Sequence, residues 1–162
     1  MKTISNSQLT IRVSPHGAEL CNIVCNGKEY LWQADPSFWK RHSPVLFPIV
    51  GSVWENEYRI DGATYNLTQH GFARDMNFEL IREQPDELRY RLADNEESRR
   101  RYPFPFRLEI GYRIQGKQIE VLWEVKNTGD KELHFQIGAH PAFYFPAFDM
   151  KSNERGYLGF DR

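Results

Sequence analysis

Apolar and polar positions alternate with a period of two along most of this chain, the spacing that puts every second side chain on one face of a β-strand. Leu9 to Val13 alternates in this way. Glu19 to Cys25 and Glu29 to Trp32 flank Asn26-Gly27, a dipeptide that accepts the positive φ angles of a two-residue hairpin turn. Tyr58 to Ile60 and Thr64 to Leu67 flank Asp61-Gly62 in the same fashion. Phe78 to Glu83 meets Leu88 to Leu92 across Pro85-Asp86, and Leu108 to Ile114 meets Ile119 to Lys126 across Gln115-Gly116-Lys117. After the turn Asn127 to Asp130, Leu133 to Ile137 alternates again, with Leu133, Phe135 and Ile137 on one face and His134, Gln136 and Gly138 on the other; if the strand continues, His140 joins the second face. The pattern predicts about ten strands in an antiparallel meander, an all-β sandwich with very little helix.

The one helical stretch is Asn95 to Arg101: Asn95 is a capping residue, Glu96 and Glu97 stand in the first turn and three arginines in the last, as the helix dipole favours. Tyr102-Pro103-Phe104-Pro105 ends it. The arginines read as a solvated helix end, with a phosphate-binding patch as the alternative. No repeat, linker or low-complexity segment divides the chain, so residues 1–162 are expected to form one domain.

Three segments fit neither strand nor turn: 44–51 (PVLFPIVG), 69–75 (QHGFARD) and 138–146 (GAHPAFYFP). Each couples Gly or Pro to aromatic and ionisable residues, the mixture a rigid concave site needs.

Composition narrows what such a site binds. The 21 basic and 22 acidic residues leave a net charge of −1, which lacks the electrostatic footprint of a nucleic-acid or anionic-membrane binder and favours a small neutral partner. Aromatics at 14% supply flat faces for a core or for stacking on a ligand. The N-terminus has no apolar signal region and no stretch is long enough to span a bilayer, so a cytoplasmic protein is expected. Cys21 and Cys25, four residues apart in a strand, are separated by roughly 13 Å, too far for a disulfide.

Five histidines are the residues best suited to chemistry: His16, His42, His70, His134 and His140. His70 and His140 stand out because each lies at the mouth of a strand beside glycine and aromatics. No HxxxH, HExxH or closely spaced histidine pair occurs, so no metal and no cofactor are expected. There is no GxSxG elbow, no cysteine beside a histidine and no glycine-rich phosphate loop. Proton transfer by imidazole remains, since its ordinary pKa suits acid–base work near neutrality.

The stretches 44–51, 69–74, 102–106 (YPFPF) and 138–143, taken in order with the Asn-Gly hairpin, resemble the aldose 1-epimerase superfamily, in particular its LacX-like branch of galactose-mutarotase-related proteins. The resemblance covers essentially the whole chain; the HGFAR and GAHPAF pieces are specific in combination. It implies an antiparallel β-supersandwich that binds a hexose and interconverts its α and β anomers through ring opening, with a histidine protonating the ring oxygen and a glutamate deprotonating the anomeric hydroxyl. His140 matches the family's general acid, His70 the histidine that holds the sugar near its ring oxygen, and Arg74 a hydroxyl ligand. Phe72, Phe143 and Tyr144 offer aromatic faces for the apolar side of the sugar, with core packing as the other reading of each.

Two departures accompany the resemblance. Ser52 follows Gly51 where many relatives carry arginine, and the glutamate base belongs to a later part of the family domain; neither Asp149 nor Glu154 lies in its segment. The chain is thus expected to be a truncated sandwich of a little over half the family domain, prone to self-associate through exposed strand edges. A hexose-6-phosphate 1-epimerase, drawing on Arg41, Arg74 and Arg99 to Arg101, and a non-catalytic carbohydrate-binding protein are the alternatives.

Overall fold

A computed structural model describes residues 1–145, 148–153 and 156–161; Pro146 of the third segment and Glu154 lie outside the described residues. The predicted hairpins form one after another. β1 (Lys2–Ser5), β2 (Leu9–Val13), β3 (Leu20–Cys25) and β4 (Lys28–Glu29) make one antiparallel sheet in that order. β8 (Glu79–Glu83), β9 (Glu87–Ala93), β10 (Phe106–Gln115) and β11 (Gln118–Asn127) make a second, ordered β11-β10-β9-β8, while β6 (Glu57–Ile60) and β7 (Ala63–Asn66) form a separate hairpin. The turn dipeptides do what their chemistry allows: Asn26 and Gly27, and likewise Asp61 and Gly62, all have positive φ.

The two larger sheets pack face to face. Ile11 and Val13 from the first and Leu88, Tyr90, Leu108 and Ile110 from the second are fully buried in one core. The Tyr112 hydroxyl crosses between the sheets to donate to the Ala18 carbonyl at 2.7 Å, so this buried polar group is satisfied. β10 is buried along most of its length, whereas its hairpin partner β11 is largely exposed, with Val121 and Trp123 facing solvent. Helix α1 (Glu96–Arg101) begins as expected, with a reciprocal capping box between Asn95 and Ser98. Its arginines pair locally with Asp94, Glu96 and Glu97, which makes them a solvated helix end. Both cysteines are free, as their spacing required.

The sequence pattern misses at three places. Lys2–Ser5 is a strand although only Ile4 is buried in it, too little to set up an alternation. The strand predicted over Glu29 to Trp32 leaves β3 after Tyr30, whose N–H donates to the Ile23 carbonyl at 2.8 Å, because the chain changes partner: Trp32 N–H donates to the Ala142 carbonyl at 2.8 Å and Tyr144 N–H to that of Tyr30 at 2.8 Å. Leu133 to Ile137 is not a strand at all. Gln136 instead bonds the 48–50 backbone through both its N–H and its side chain, and Tyr102 donates to the His134 carbonyl, so bonds to distant segments replace a ladder. His134 packs against Phe104 and does not share a face with His140.

No helix among the described residues is long and apolar enough to cross a membrane.

Candidate active site

Segment 44–51 is the scaffold that brings the other two together. It contains β5 (Val45–Leu46), and Ser43 through Pro48 are buried without interruption. One edge of β5 pairs antiparallel with β12 (Gly138–Ala139), and His140 N–H donates to the Pro44 carbonyl at 3.1 Å. Beyond β5, Phe47 bridges to Gly71 in parallel, and its carbonyl accepts from the N–H groups of Phe72 and Ala73. The close approach requires glycine: a Cβ on Gly71 would stand 2.3 Å from the Phe47 carbonyl oxygen. His70 and His140, seventy residues apart in the chain, thereby face each other with ring centroids 6.4 Å apart.

The two histidines are held differently. His70 has φ +66, an uncommon conformation for a residue with a side chain, and two bonds to Gly51 fix it there. Its N–H donates to the Gly51 carbonyl at 2.7 Å, and its Nδ1 accepts from the Gly51 N–H at 3.0 Å. Because Nδ1 is the acceptor, the proton of the neutral ring stands on Nε2. Partial burial, then Arg74 and His140 nearby, lower its pKa from the ordinary histidine value, which keeps the ring neutral and makes Nε2–H a fixed donor. His140 is exposed just beyond β12, its ring against that of Trp39 at 5.2 Å.

Arg74 lies one short 3-10 turn beyond His70, half-buried, with one terminal nitrogen on the Gln69 carbonyl at 2.7 Å. Its Nε is buried 3.8 Å from Asp75 and makes no hydrogen bond. Arg41 reaches the same carboxylate, bonding Asp75 at 2.8 Å. The structure thus gathers Arg41 and Arg74 around one aspartate next to His70, a grouping that nothing in the linear order announces. Arg99 to Arg101 take no part in it.

The aromatic residues divide. Phe72 is 1% exposed and packs against Phe47, Tyr102 and Phe106, with the Arg101 guanidinium 5.1 Å from its ring. This corrects the expectation of a sugar contact: the ring is consumed by the core, with Gly71 and Ala73 buried beside it. Phe143 is 54% exposed and bridges to Leu31; by strand alternation it points away from the face carrying His140, Ala142 and Tyr144. Trp39, beside His140, was not singled out by the sequence pattern, although a Trp two residues before Arg41 and five before the buried segment was the available signal.

One side-chain group has the makings of a metal site: Glu19, Cys21 and His42 bring ligand atoms within 4.8 Å of one another. Its carboxylate, however, accepts from the His42 and Ser43 N–H groups at 2.8 and 3.0 Å, and burial pushes the Cys21 thiol up to about 11. The group works as a clamp on the entry to segment 44–51.

An antiparallel sandwich with these sheets is the fold of galactose mutarotase-like proteins. The aldose 1-epimerase family model matches residues 1–155, and the chain belongs to that family. It is 33% identical to Protein LacX of Lactococcus lactis subsp. lactis over 97% of this chain and 55% of that protein. Among solved structures, the galactose mutarotase related enzyme from Lactobacillus acidophilus is 40% identical, with a TM-score of 0.90 over 94% of this chain and 51% of that one. A galactose mutarotase-like protein from Lactobacillus casei is 35% identical, with a TM-score of 0.86 over 88% and 49% of the two chains. The chain spans about half the length of the curated relatives it matches.

Proposed function

We propose that this chain supplies the histidine side of an aldose 1-epimerase site, which binds an aldose and interconverts its α and β anomers. The observation that carries the reading is the His70–His140 pair, 6.4 Å between ring centroids, with His70 locked by Gly51 as an Nε2–H donor. His70, neutral and fixed, holds the sugar by donating to its ring-oxygen side. His140, exposed at the cleft, delivers a proton to the ring oxygen as the C1–O5 bond breaks and recovers it on closure. The anomeric hydroxyl gives its proton to a base as the aldehyde forms; the resemblance assigns that base to a glutamate in a part of the family domain outside these 162 residues. Rotation about C1–C2 and closure on the other face invert the anomeric centre. Arg74 serves the sugar hydroxyls.

Polarimetry of freshly dissolved α-D-glucose and α-D-galactose, with the chain joined to a relative's C-terminal half, tests this. Faster mutarotation is expected, slowed by roughly 10²–10⁴-fold in His140→Ala, the usual contribution of a positioned acid. His70→Ala should raise the Michaelis constant as well. Loss of less than about threefold in His140→Ala contradicts the assignment, and saturable sugar binding with no acceleration leaves a binding protein.

A second reading rests on Arg41 and Arg74 meeting at Asp75. Two guanidiniums against one carboxylate leave one positive charge beside the histidines, which favours an aldose carrying a phosphate. Glucose 6-phosphate in the same assay decides between them. The exposed outer edge of β11 supports self-association of the isolated chain, which sedimentation tests.

A further inference from the structure

Next to the histidines lies a surface that neither the resemblance nor the proton chemistry uses. Trp32, Phe38, Trp39 and Ala142 line an open recess of about 370 Å³ with no charged or hydrogen-bonding side-chain group but the indole nitrogens. It adjoins His140 through the Trp39 ring, 5.2 Å away and tilted by 56°. Phe38, on the rim of the recess, is 81% exposed.

The recess is rigidly built. The Trp32 indole N–H donates to the Trp39 carbonyl at 2.7 Å, tying the two ends of the loop together. Asp35 closes the turn between them: its carbonyl accepts from the N–H groups of Phe38 and Trp39, and its carboxylate accepts from the backbone N–H of Ser37 at 2.9 Å. Ala34 is held at φ +55, a conformation an alanine adopts only when its surroundings impose it. Trp32 is itself wedged edge-on between Phe38 and Tyr144, with centroids at 6.1 and 5.5 Å. Preorganised aromatic faces of this kind bind with little loss of side-chain freedom.

We infer that Trp39, backed by Trp32 and Phe38, is the platform on which the apolar C–H face of the aldose ring stacks. The inference rests on the sugar-site reading above and adds a specificity-determining residue to it. The argument is one of complementary walls. A pyranose has a polar rim and an apolar face. The groups able to bond the rim, His70, His140 and Arg74, lie on one side; the Trp39 shelf, lined without charged side chains, adjoins them through His140. A ring stacked there keeps its oxygens directed at the histidines. The shelf therefore favours sugars whose C–H groups form an unbroken patch on one face, such as galactose with its H3, H4 and H5.

Methyl β-D-galactopyranoside and methyl β-D-glucopyranoside test this without any turnover, because their locked anomeric centres cannot open. In saturation-transfer NMR on the wild-type chain, the H3, H4 and H5 protons of the galactoside should receive the strongest transfer. Titration should show Trp39→Ala weakening galactoside binding by about tenfold and Trp39→Phe by less than about threefold, in keeping with the worth of an aromatic stacking contact. Trp123→Ala, on the exposed strand β11, should bind the locked glycoside as wild type does, which separates stacking at the shelf from the loss of any surface indole. Trp39→Ala binding within about twofold of wild type, even transfer around the sugar ring, or no glycoside binding by the wild-type chain overturns the platform. Mutarotation unaffected by His140→Ala would instead sink the epimerase reading while leaving the platform standing.

Discussion

The two histidine-bearing segments make an instructive pair. Segment 69–75 is part of the core: Gly71, Phe72 and Ala73 are buried, and its backbone is bonded to Phe47 and Gly51. Segment 138–145 is laid on the surface, held by a two-residue strand and by backbone bonds to Pro44, His42, Tyr30 and Trp32. A side chain that must hold a ligand at one point gains from the first kind of setting, because its orientation costs nothing at binding. A side chain that must gain and lose a proton each turnover gains from the second, where solvent reaches it. The contrast in support therefore matches the contrast in role proposed for His70 and His140.

The largest effect expected on that contrast comes from Phe47, fully buried and in ring contact with Phe72, Tyr102 and Phe106. Phe47→Ala should cost about 3–5 kcal/mol of stability in urea denaturation. Phe143→Ala, on the exposed segment, should cost about 0.5 kcal/mol or less. Equal losses would mean that the two segments are equally built into the fold.

Gly71→Ala comes next. It forces a Cβ onto the Phe47 carbonyl and a side chain into φ +70. A loss of about 1–3 kcal/mol is expected, together with loss of the His70–Gly51 bond, visible as a changed Gly51 amide signal in NMR. An unchanged Gly51 amide would show that the glycine is dispensable for placing His70.

The smallest effect is on pH dependence. Folding lowers the His70 pKa, so the unfolded chain binds more protons than the folded one as pH falls through the ordinary histidine value of 6.5. Stability from this group is complete above that value and declines below it. Protonation would also place a hydrogen on Nδ1 against the Gly51 N–H. The slope of stability against pH below 6.5 should therefore be shallower in His70→Gln than in wild type; an identical slope would place the titration elsewhere.

Much of this was legible in the chain. The Asn26-Gly27 and Asp61-Gly62 turns, the long β10–β11 hairpin and the Asn95 cap are local features, decided by φ preferences and period-two alternation within a few residues. The HGFAR and GAHPAF segments could be marked because their composition breaks that alternation. What stayed hidden is what depends on distant partners. Phe72 is as apolar in a core as on a sugar, and only the packing of Phe47 and Phe106 decides. Arg41 and Arg74 meet through an aspartate, Asp75, that has no pattern of its own. Leu133 to Ile137 alternates as a strand does, yet Gln136 and Tyr102 take up its backbone bonds. Trp39 belongs to the site because the loop 32–39 is tied back on itself by an indole bond that no spacing rule predicts.

The most direct test of the central claim follows the Cε1–H signals of the five histidines by NMR as galactose is added. If His70 and His140 form the sugar site, their two signals shift together and saturate at one sugar concentration, while His16, bonded to Asn77, and His134, against Phe104, stay in place. Shifts at His16 or His134 with His70 and His140 unmoved would contradict the account.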